Sequence, residues 1–258
     1  MSFPFLCLVD CEIEKVDLVF LLDGSSSIQQ EDFKKMKAFL ASLVQDFDVS
    51  INRVRVGAAQ FSDSYRPEFL LGRFAGKKEL SFHIEHIDQL FGNTHIGAAL
   101  HNVGHYFQPH MGSRINAGTP QVLLVLTDGQ SQDDVAQAAE DLRHKGIDIY
   151  TVGIGKVDDQ QLIQITGTAS KKLTVQNFDE LRKVKKRIIR NICTSGGESS
   201  KYSNVSFMCT PPLSSLTVSS SSVCSWWQTL DCASGFKIEL FTVTNCWGVL
   251  CMCVCVCV

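Results

Sequence analysis

The chain has 258 residues, of which 45% are hydrophobic and 20% are charged, and its formal net charge at pH 7 is -3. This length and composition predict one globular domain with additional sequence, and the charge gives no electrostatic reason to expect a nucleic-acid-binding protein. No apolar run is long enough to span a bilayer, so we expect no membrane insertion. Residues 1–9 are apolar but lack a basic segment and a small-residue cleavage site, which makes them a poor signal peptide.

The first predicted element is a strand that ends in oxygen-bearing side chains. Residues 16–22 are apolar except for Asp17, as expected of a strand buried on both faces of a parallel sheet. Asp23, Ser25 and Ser27 follow at a spacing of two, so a tight turn can direct all three side chains at one centre. Because carboxylate and hydroxyl oxygens are hard donors, this stretch favours a Mg²⁺, Mn²⁺ or Ca²⁺ site over a zinc site.

Strands and helices alternate along the next part of the chain. Helices are predicted from apolar residues at helical spacing, over 28–44, 77–87, 96–107, 133–145, 158–166 and 178–192. Further strands are predicted over 52–61, 65–71, 147–154 and 172–175, and in the run 122–129, which ends in Asp128-Gly129. Pro67 cannot donate to a ladder, which makes 65–71 an antiparallel edge strand.

This alternation predicts an α/β fold with a doubly wound, mostly parallel six-stranded sheet, one antiparallel edge strand and helices on both faces. The expected strand order is 3-2-1-4-5-6. The two strands that end in aspartate would then be adjacent at the switch point, so Asp23 and Asp128 would face one crevice.

The metal motif, the loop 92–100 and the strand end at Asp128 together resemble a known family. The stretch Asp23-Gly24-Ser25-Ser26-Ser27 matches the first metal motif of the von Willebrand factor type A domain, also called the integrin I-like domain. Thr94 matches the threonine ligand of that family, and Asp128 matches its final aspartate. The resemblance covers residues 16–192 and implies a Rossmann-like fold.

The resemblance also implies a function. In the family these positions form a metal ion-dependent adhesion site, here Asp23, Ser25, Ser27, Thr94 and Asp128. Such a site would hold Mg²⁺, or Mn²⁺ or Ca²⁺, and bind a carboxylate of a partner protein without any chemical step, so the chain would not be an enzyme and would have no small-molecule substrate. His95 follows Thr94 and is a candidate contact for the partner.

Within the family, the stretches 20–28, 56–62 and 148–155 look most like the A domains of collagen type VI α chains of the α4-to-α6-like kind. This implies a secreted protein of the extracellular matrix that binds matrix proteins such as collagens, or cell-surface receptors. One alternative is an intracellular scaffold domain of a multiprotein complex. Another is a truncated gene fragment without a function of its own.

The eleven cysteines are unevenly distributed, because only Cys7, Cys11 and Cys193 lie in the first 200 residues. The resemblance implies a disulfide between Cys11 and Cys193 that braces the ends of the domain, as extracellular domains of this kind often have. Two unrelated thiols remain the alternative. In the chain-entropy model, such a disulfide would contribute about 3–5 kcal/mol to stability.

The composition changes after Cys193. We divide the chain into a lead segment (1–14), the A domain (15–194) and a Ser- and Cys-rich tail (195–258) in which we expect disorder. The tail ends in alternating Cys and Val, as a translated GT repeat would, and we hypothesise that 1–9 and 197–258 are translated intron. The alternative, a metal-binding tail, lacks zinc-finger spacing.

Other features have ordinary interpretations. The pairs His101/His105 and His83/His86 share helix faces, but no Glu stands where a metalloprotease motif requires one. No Gly-x-Ser-x-Gly elbow supports a hydrolase. The basic run 182–190 fits the solvent-facing side of an amphipathic helix better than a binding patch for heparin or an acidic partner.

Overall fold

The computed structural model describes residues 15–195 and three strands between 227 and 254. The chain divides into two compact units, Met1–Lys201 and Tyr202–Val258. Within the described residues, no helix is both long enough and apolar enough to cross a bilayer.

A six-stranded sheet forms the centre of the first unit. Its strands are β1 (Val16–Asp23), β2 (Val54–Phe61), β3 (Tyr65–Phe69), β4 (Gln121–Thr127), β5 (Ile147–Ile154) and β6 (Lys172–Val175). The order is β3-β2-β1-β4-β5-β6, with β3 antiparallel to β2 and the other pairs parallel. The predicted fold class and strand order are therefore confirmed.

Six helices cover the two faces of this sheet. They are α1 (Gln30–Val44), α2 (Lys77–Glu85), α3 (Ile96–Val103), α4 (Ala136–His144), α5 (Asp159–Thr166) and α6 (Leu181–Ser195). Helices α1, α2 and α6 contribute to the hydrophobic core on one face, whereas α3, α4 and α5 contribute to the core on the other. Short 3₁₀ turns, rather than the end of a longer helix, follow α3 over 104–117.

The central strands are buried because both faces of the sheet are covered. Every residue of β1 and β4 is buried. Alternate residues of β1 point to opposite cores, so Phe20 packs on one side and Leu21 on the other. The continuous apolar runs of the sequence reflect this double burial.

The last helix of the first unit is amphipathic, as its sequence pattern predicts. Leu181, Ile188 and Ile192 are buried. Two of its lysines form ion pairs, Lys183 with Glu180 and Lys185 with Asp46. The exposed basic side chains are Arg182, Lys183, Lys186, Arg187 and Arg190.

A polar cluster that we did not predict lies where β1 begins, at the opposite end of the strand from Asp23. The carboxylate of Asp17 is fully buried and accepts hydrogen bonds from Arg114 Nη2 at 2.7 Å and Nε at 2.9 Å. The backbone N–H of Arg114 and Gln121 Nε2 donate to the other oxygen of Asp17 at 2.6 and 2.8 Å. The buried charge is therefore paired and hydrogen-bonded.

The expected disorder of the tail stays a prediction, and part of the tail is described as strands. Three strands, β7 (Trp227–Asp231), β8 (Lys237–Asn245) and β9 (Gly248–Val254), form an antiparallel sheet in the order β7-β8-β9. The reason is local, because 237–245 is rich in β-branched and aromatic residues, which favour strands. Residues 1–14 and the rest of the tail lie outside the described residues, so the domain boundaries and the intron hypothesis stay predictions.

Candidate metal site

The two predicted aspartates meet at the carboxyl edge of the sheet. Strands β1 and β4 are adjacent and parallel, with Leu22 paired to Leu126, so both strands end at the same edge. Thr127 Oγ1 donates a hydrogen bond to Asp23 Oδ2 at 2.7 Å, across the two strand ends. Asp23 is fully buried. Asp128, which directly follows the last residue of β4, is partly exposed.

The turn after β1 links the two aspartates through Ser25 and Ser27. The backbone N–H of Ser25 donates to Asp23 Oδ1 at 2.9 Å, and Ser25 Oγ lies 2.9 Å from Ser27 Oγ. Ser27 Oγ donates to Asp128 Oδ1 at 2.7 Å. Four of the five predicted ligands therefore form one continuous hydrogen-bonded chain.

Thr94, the fifth predicted ligand, reaches the site from the loop before α3. Its side chain is buried, and its Oγ1 lies 3.8 Å from the point where a Cβ on Gly129 would stand. Its carbonyl accepts a hydrogen bond from the N–H of Gln132 at 2.9 Å. Thr94 is therefore held against the residue that follows Asp128.

The loop after β4 caps the N-terminus of α3, which the sequence did not reveal. The N–H of Ile96 donates to Ser131 Oγ at 2.8 Å, and the N–H groups of Gly97 and Ala98 donate to the carboxylate of Asp133 at 2.8 and 2.7 Å. Partial burial tends to raise the pKa of Asp133. Hydrogen bonds from Ser131, Ala98 and Gly97 outweigh this effect and hold the pKa below its usual value. Through Ser131 and Asp133, the loop that begins at Asp128 is therefore attached to α3, the helix that follows Thr94.

We predict that Gly97→Ala disturbs this junction. A Cβ at position 97 would collide with the backbone carbonyl of Asp134. Such overpacking typically costs about 1–3 kcal/mol. Because the collision displaces the loop between Asp128 and α4, the affinity for Mg²⁺ should fall as well. Thermal denaturation and calorimetric titration with Mg²⁺ measure the two effects.

Gly76→Ala is the matched control, because a Cβ there meets no atom within 4 Å. It should leave the Mg²⁺ affinity unchanged. If Gly97→Ala binds Mg²⁺ as well as Gly76→Ala does, the junction is not needed to position Thr94.

Burial makes the electrostatics of the site unfavourable for two free carboxylates. It raises the pKa of Asp23 to about 6, against the hydrogen bonds from Ser25 and Thr127, and the nearby charge of Asp128 raises it further. Burial also raises the pKa of Asp128, while the hydrogen bond from Ser27 lowers it. Two neighbouring carboxylates with raised pKa values are suited to receive a cation.

The donor set fits a hard divalent cation. Two carboxylates and the hydroxyls of Ser25, Ser27 and Thr94 converge on the site, and oxygen is the donor that Mg²⁺ and Ca²⁺ prefer. Over residues 15–195 and the three tail strands, no group of three or more His, Cys, Asp or Glu side chains is placed to hold a metal. The candidate site therefore depends on hydroxyls and carries little protein charge.

The structure also places two other predicted residues. His95 is about one third exposed, and its Nδ1 lies 3.7 Å from Asp63 Oδ1 without forming a hydrogen bond. Cys193 is disulfide-bonded. Since Cys11 lies outside the described residues, the pairing of Cys11 with Cys193 stays a prediction.

Known proteins share this fold and sequence. The sequence model of the von Willebrand factor type A domain family matches residues 17–187 of the chain. The collagen alpha-6(VI) chain of Homo sapiens is 78% identical over 197 residues, which are 76% of this chain and 9% of that protein. The human collagen alpha-5(VI) chain is 38% identical over 197 residues, or 76% of this chain and 8% of that protein. The chain thus spans less than a tenth of the length of these relatives.

A solved structure is similar as well. Proximal thread matrix protein 1 from the mussel byssus, with a zinc-occupied MIDAS motif, superimposes with a TM-score of 0.67 and 28% sequence identity. The match covers 70% of this chain and 48% of the mussel chain. From its family match and its sheet topology, the chain belongs to the von Willebrand factor type A domain family, and its sequence is similar to those of collagen VI α chains.

Proposed function

We propose that the chain is a non-enzymatic, divalent-cation-dependent protein-binding module of the extracellular matrix. The observation that carries this proposal is the hydrogen-bonded chain from Asp23 through Ser25 and Ser27 to Asp128, with Thr94 beside it. It joins side chains from two strand ends and a separate loop at one edge of the sheet, where α/β folds bind ligands.

The residues of the site have distinct roles in this proposal. The hydroxyls of Ser25, Ser27 and Thr94 and the carboxylates of Asp23 and Asp128 hold the cation, directly or through water. The bonds from Thr127 Oγ1 and the N–H of Ser25 orient the carboxylate of Asp23. A bound Mg²⁺ would supply positive charge that attracts a carboxylate of the partner. Three of the five donors are uncharged hydroxyls, so only the two aspartates offset the charge of the ion.

Magnesium is the cation we propose, with Mn²⁺ or Ca²⁺ as substitutes. The mussel relative holds zinc at its MIDAS motif, which supports a divalent cation here. All five donors of the present site are oxygens, whereas protein zinc sites are built mainly from nitrogen and sulfur ligands. The oxygen donors therefore favour Mg²⁺.

The proposed setting is the extracellular matrix, with matrix proteins such as collagens, or cell-surface receptors, as partners. The similarity to collagen VI chains supports this setting. The disulfide at Cys193 supports it independently, because disulfides persist in oxidising compartments and are rare in the cytosol. An intracellular scaffold would not be expected to contain one.

Calorimetric titration of the full chain with Mg²⁺ tests the metal site. We expect the wild type to bind and Asp128→Ala to lose at least about 10–100-fold in affinity, since loss of a group that only supports a ligand already has that effect. Asp48→Ala, at an exposed carboxylate, is the matched control and should bind as the wild type does.

Failure of the wild type to bind Mg²⁺, Mn²⁺ or Ca²⁺ while it is folded would contradict the proposal. Circular dichroism of the same samples shows whether they are folded. The domain would then act through surfaces that need no metal.

A further inference from the structure

Phe91 has two features that do not favour folding. Its φ is 62°, and it is the one non-glycine residue with positive φ in the described part of the chain. A left-handed backbone is strained for a bulky residue because Cβ crowds the following carbonyl. Its side chain is also 44% exposed, so much of its apolar area stays in water.

The loop around Phe91 is fastened to the metal-binding turn. The N–H of Phe91 donates to the carbonyl of Gly24 at 2.8 Å, which lies between two predicted metal ligands. The N–H of Ser26 donates to the carbonyl of Gly92, and the N–H of Gly92 donates to Ser26 Oγ, both at 2.8 Å. Gln89 Nε2 donates to the carbonyls of Ser25 and Ile28 at 3.1 and 2.8 Å.

These bonds hold the backbone of the strained residue beside the turn that carries Asp23, Ser25 and Ser27. They are made by backbone groups of residues 91 and 92 and by the side chain of Gln89, so they do not require an aromatic side chain at position 91. Elsewhere in the described residues, every position with positive φ is glycine. A phenylalanine here therefore calls for an explanation outside the packing of the fold, and strain of this kind concentrates at functional sites.

We propose that the Phe91 ring contacts a large apolar side chain adjacent to the metal-bound acidic residue of the partner. This inference rests on the proposed function and adds a sequence preference to it, namely an Asp or Glu flanked by an apolar residue. An exposed aromatic anchor beside polar groups is the usual composition of a protein interface. Polar side chains follow Phe91 in the chain, namely Asn93, which donates a hydrogen bond of 2.8 Å to Asp63, and His95.

Three short peptides test the preference on the full chain with saturating Mg²⁺. They are the capped tripeptides Phe-Glu-Phe, Gly-Glu-Gly and Phe-Gln-Phe, with affinities measured by NMR titration. The wild type should bind Phe-Glu-Phe about 10-fold more tightly than Gly-Glu-Gly, as is typical for burial of an interface aromatic. Phe-Gln-Phe should not bind, because it has no carboxylate side chain.

Phe91→Gly distinguishes the contribution of the ring from that of the backbone conformation. Glycine adopts φ near 62° without strain, so this variant should fold with an unchanged or higher melting temperature. It should bind Phe-Glu-Phe no better than Gly-Glu-Gly. Phe82→Ala is the matched control, because Phe82 is 56% exposed on α2, and it should retain the 10-fold preference.

Three outcomes overturn the inference. If Phe91→Gly retains the preference while binding still requires Glu and Mg²⁺, the inference is wrong and the proposed function stands. If Phe91→Gly melts several degrees lower than the wild type, the ring is structural. If the wild type binds Phe-Gln-Phe as well as Phe-Glu-Phe, or binds none of the peptides, the proposed carboxylate function fails and the inference fails with it.

Discussion

Replacing Arg114 by methionine is expected to lower the free energy of unfolding by about 3–5 kcal/mol, because it leaves a buried charge without its partner. The Asp17 carboxylate is fully buried, while Arg114 donates to both of its oxygens. Methionine keeps the backbone donor and some of the apolar contact, but removes the positive charge. Chemical denaturation of the full chain, followed by circular dichroism, measures the change.

Two variants distinguish loss of the ion pair from loss of packing. The double variant Asp17→Leu/Arg114→Met removes both charges and should recover much of the lost stability, since no unpaired charge stays buried. Lys34→Met breaks an ion pair with Glu31 whose side chains are 64% and 75% exposed, and should change stability by no more than about 0.5 kcal/mol. If Arg114→Met has as little effect as Lys34→Met, the Asp17 carboxylate does not depend on Arg114.

The fold could be predicted because its signals are local. A strand buried on both faces is a continuous apolar run, as in 122–126, and the alternation of such runs with helical patterns defines the doubly wound sheet. The ion pair of Asp17 and Arg114 could not be predicted in this way. Its members are 97 residues apart, and Arg114 lies in an irregular segment with no hydrophobic period.

The candidate site shows the same division. Asp23, Ser25 and Ser27 lie in one short motif, and parallel pairing of β1 with β4 brings Asp128 to the same edge. Asp133 carried a misleading signal, because an acidic residue just before a helical pattern predicts an N-terminal residue of that helix. In the structure it caps α3 instead, and α4 begins only at Ala136.

The conformation of Phe91 also had no sequence signal. Left-handed residues are predicted from Gly, Asn or Asp, and phenylalanine argues against that backbone region. Contacts distant in sequence decide it, since Gly24 and Ser26 lie more than 60 residues before the loop that they hold. Sequence patterns therefore identified the candidate metal ligands, but not the side chain that we propose to select the partner.

Asp23→Asn is expected to stabilise the metal-free protein by about 3 kcal/mol at pH 8 and to prevent tight Mg²⁺ binding. Burial raises the pKa of Asp23 from 3.8 to about 6, and a shift of this size corresponds to about 3 kcal/mol. Between these two pH values the folded state binds more protons at Asp23 than the unfolded state does, so the stability of the wild type falls as pH rises from about 4 to 6. Above pH 6, this loss of stability has reached its full size.

Asparagine carries no charge at any pH and can replace the hydrogen bonds of the protonated acid. Its oxygen can accept from the N–H of Ser25, and its amide can donate to Thr127 Oγ1. The difference between variant and wild type should therefore be small near pH 4 and reach its full value above pH 6. Chemical denaturation in EDTA at several pH values measures it, and Asp48→Asn, at an exposed carboxylate, should stay within about 0.5 kcal/mol of the wild type.

Magnesium should remove most of this difference in stability between the two proteins. A ligand at 100 times its dissociation constant stabilises the folded state by about 2.7 kcal/mol, so the wild type should gain stability that Asp23→Asn does not. The wild type would thus recover in Mg²⁺ most of what its buried carboxylate loses in EDTA. If Asp23→Asn is instead the less stable protein in EDTA at pH 8, the hydrogen bonds from Ser25 and Thr127 stabilise the carboxylate more than burial destabilises it. The site would then be preformed without any need for a cation.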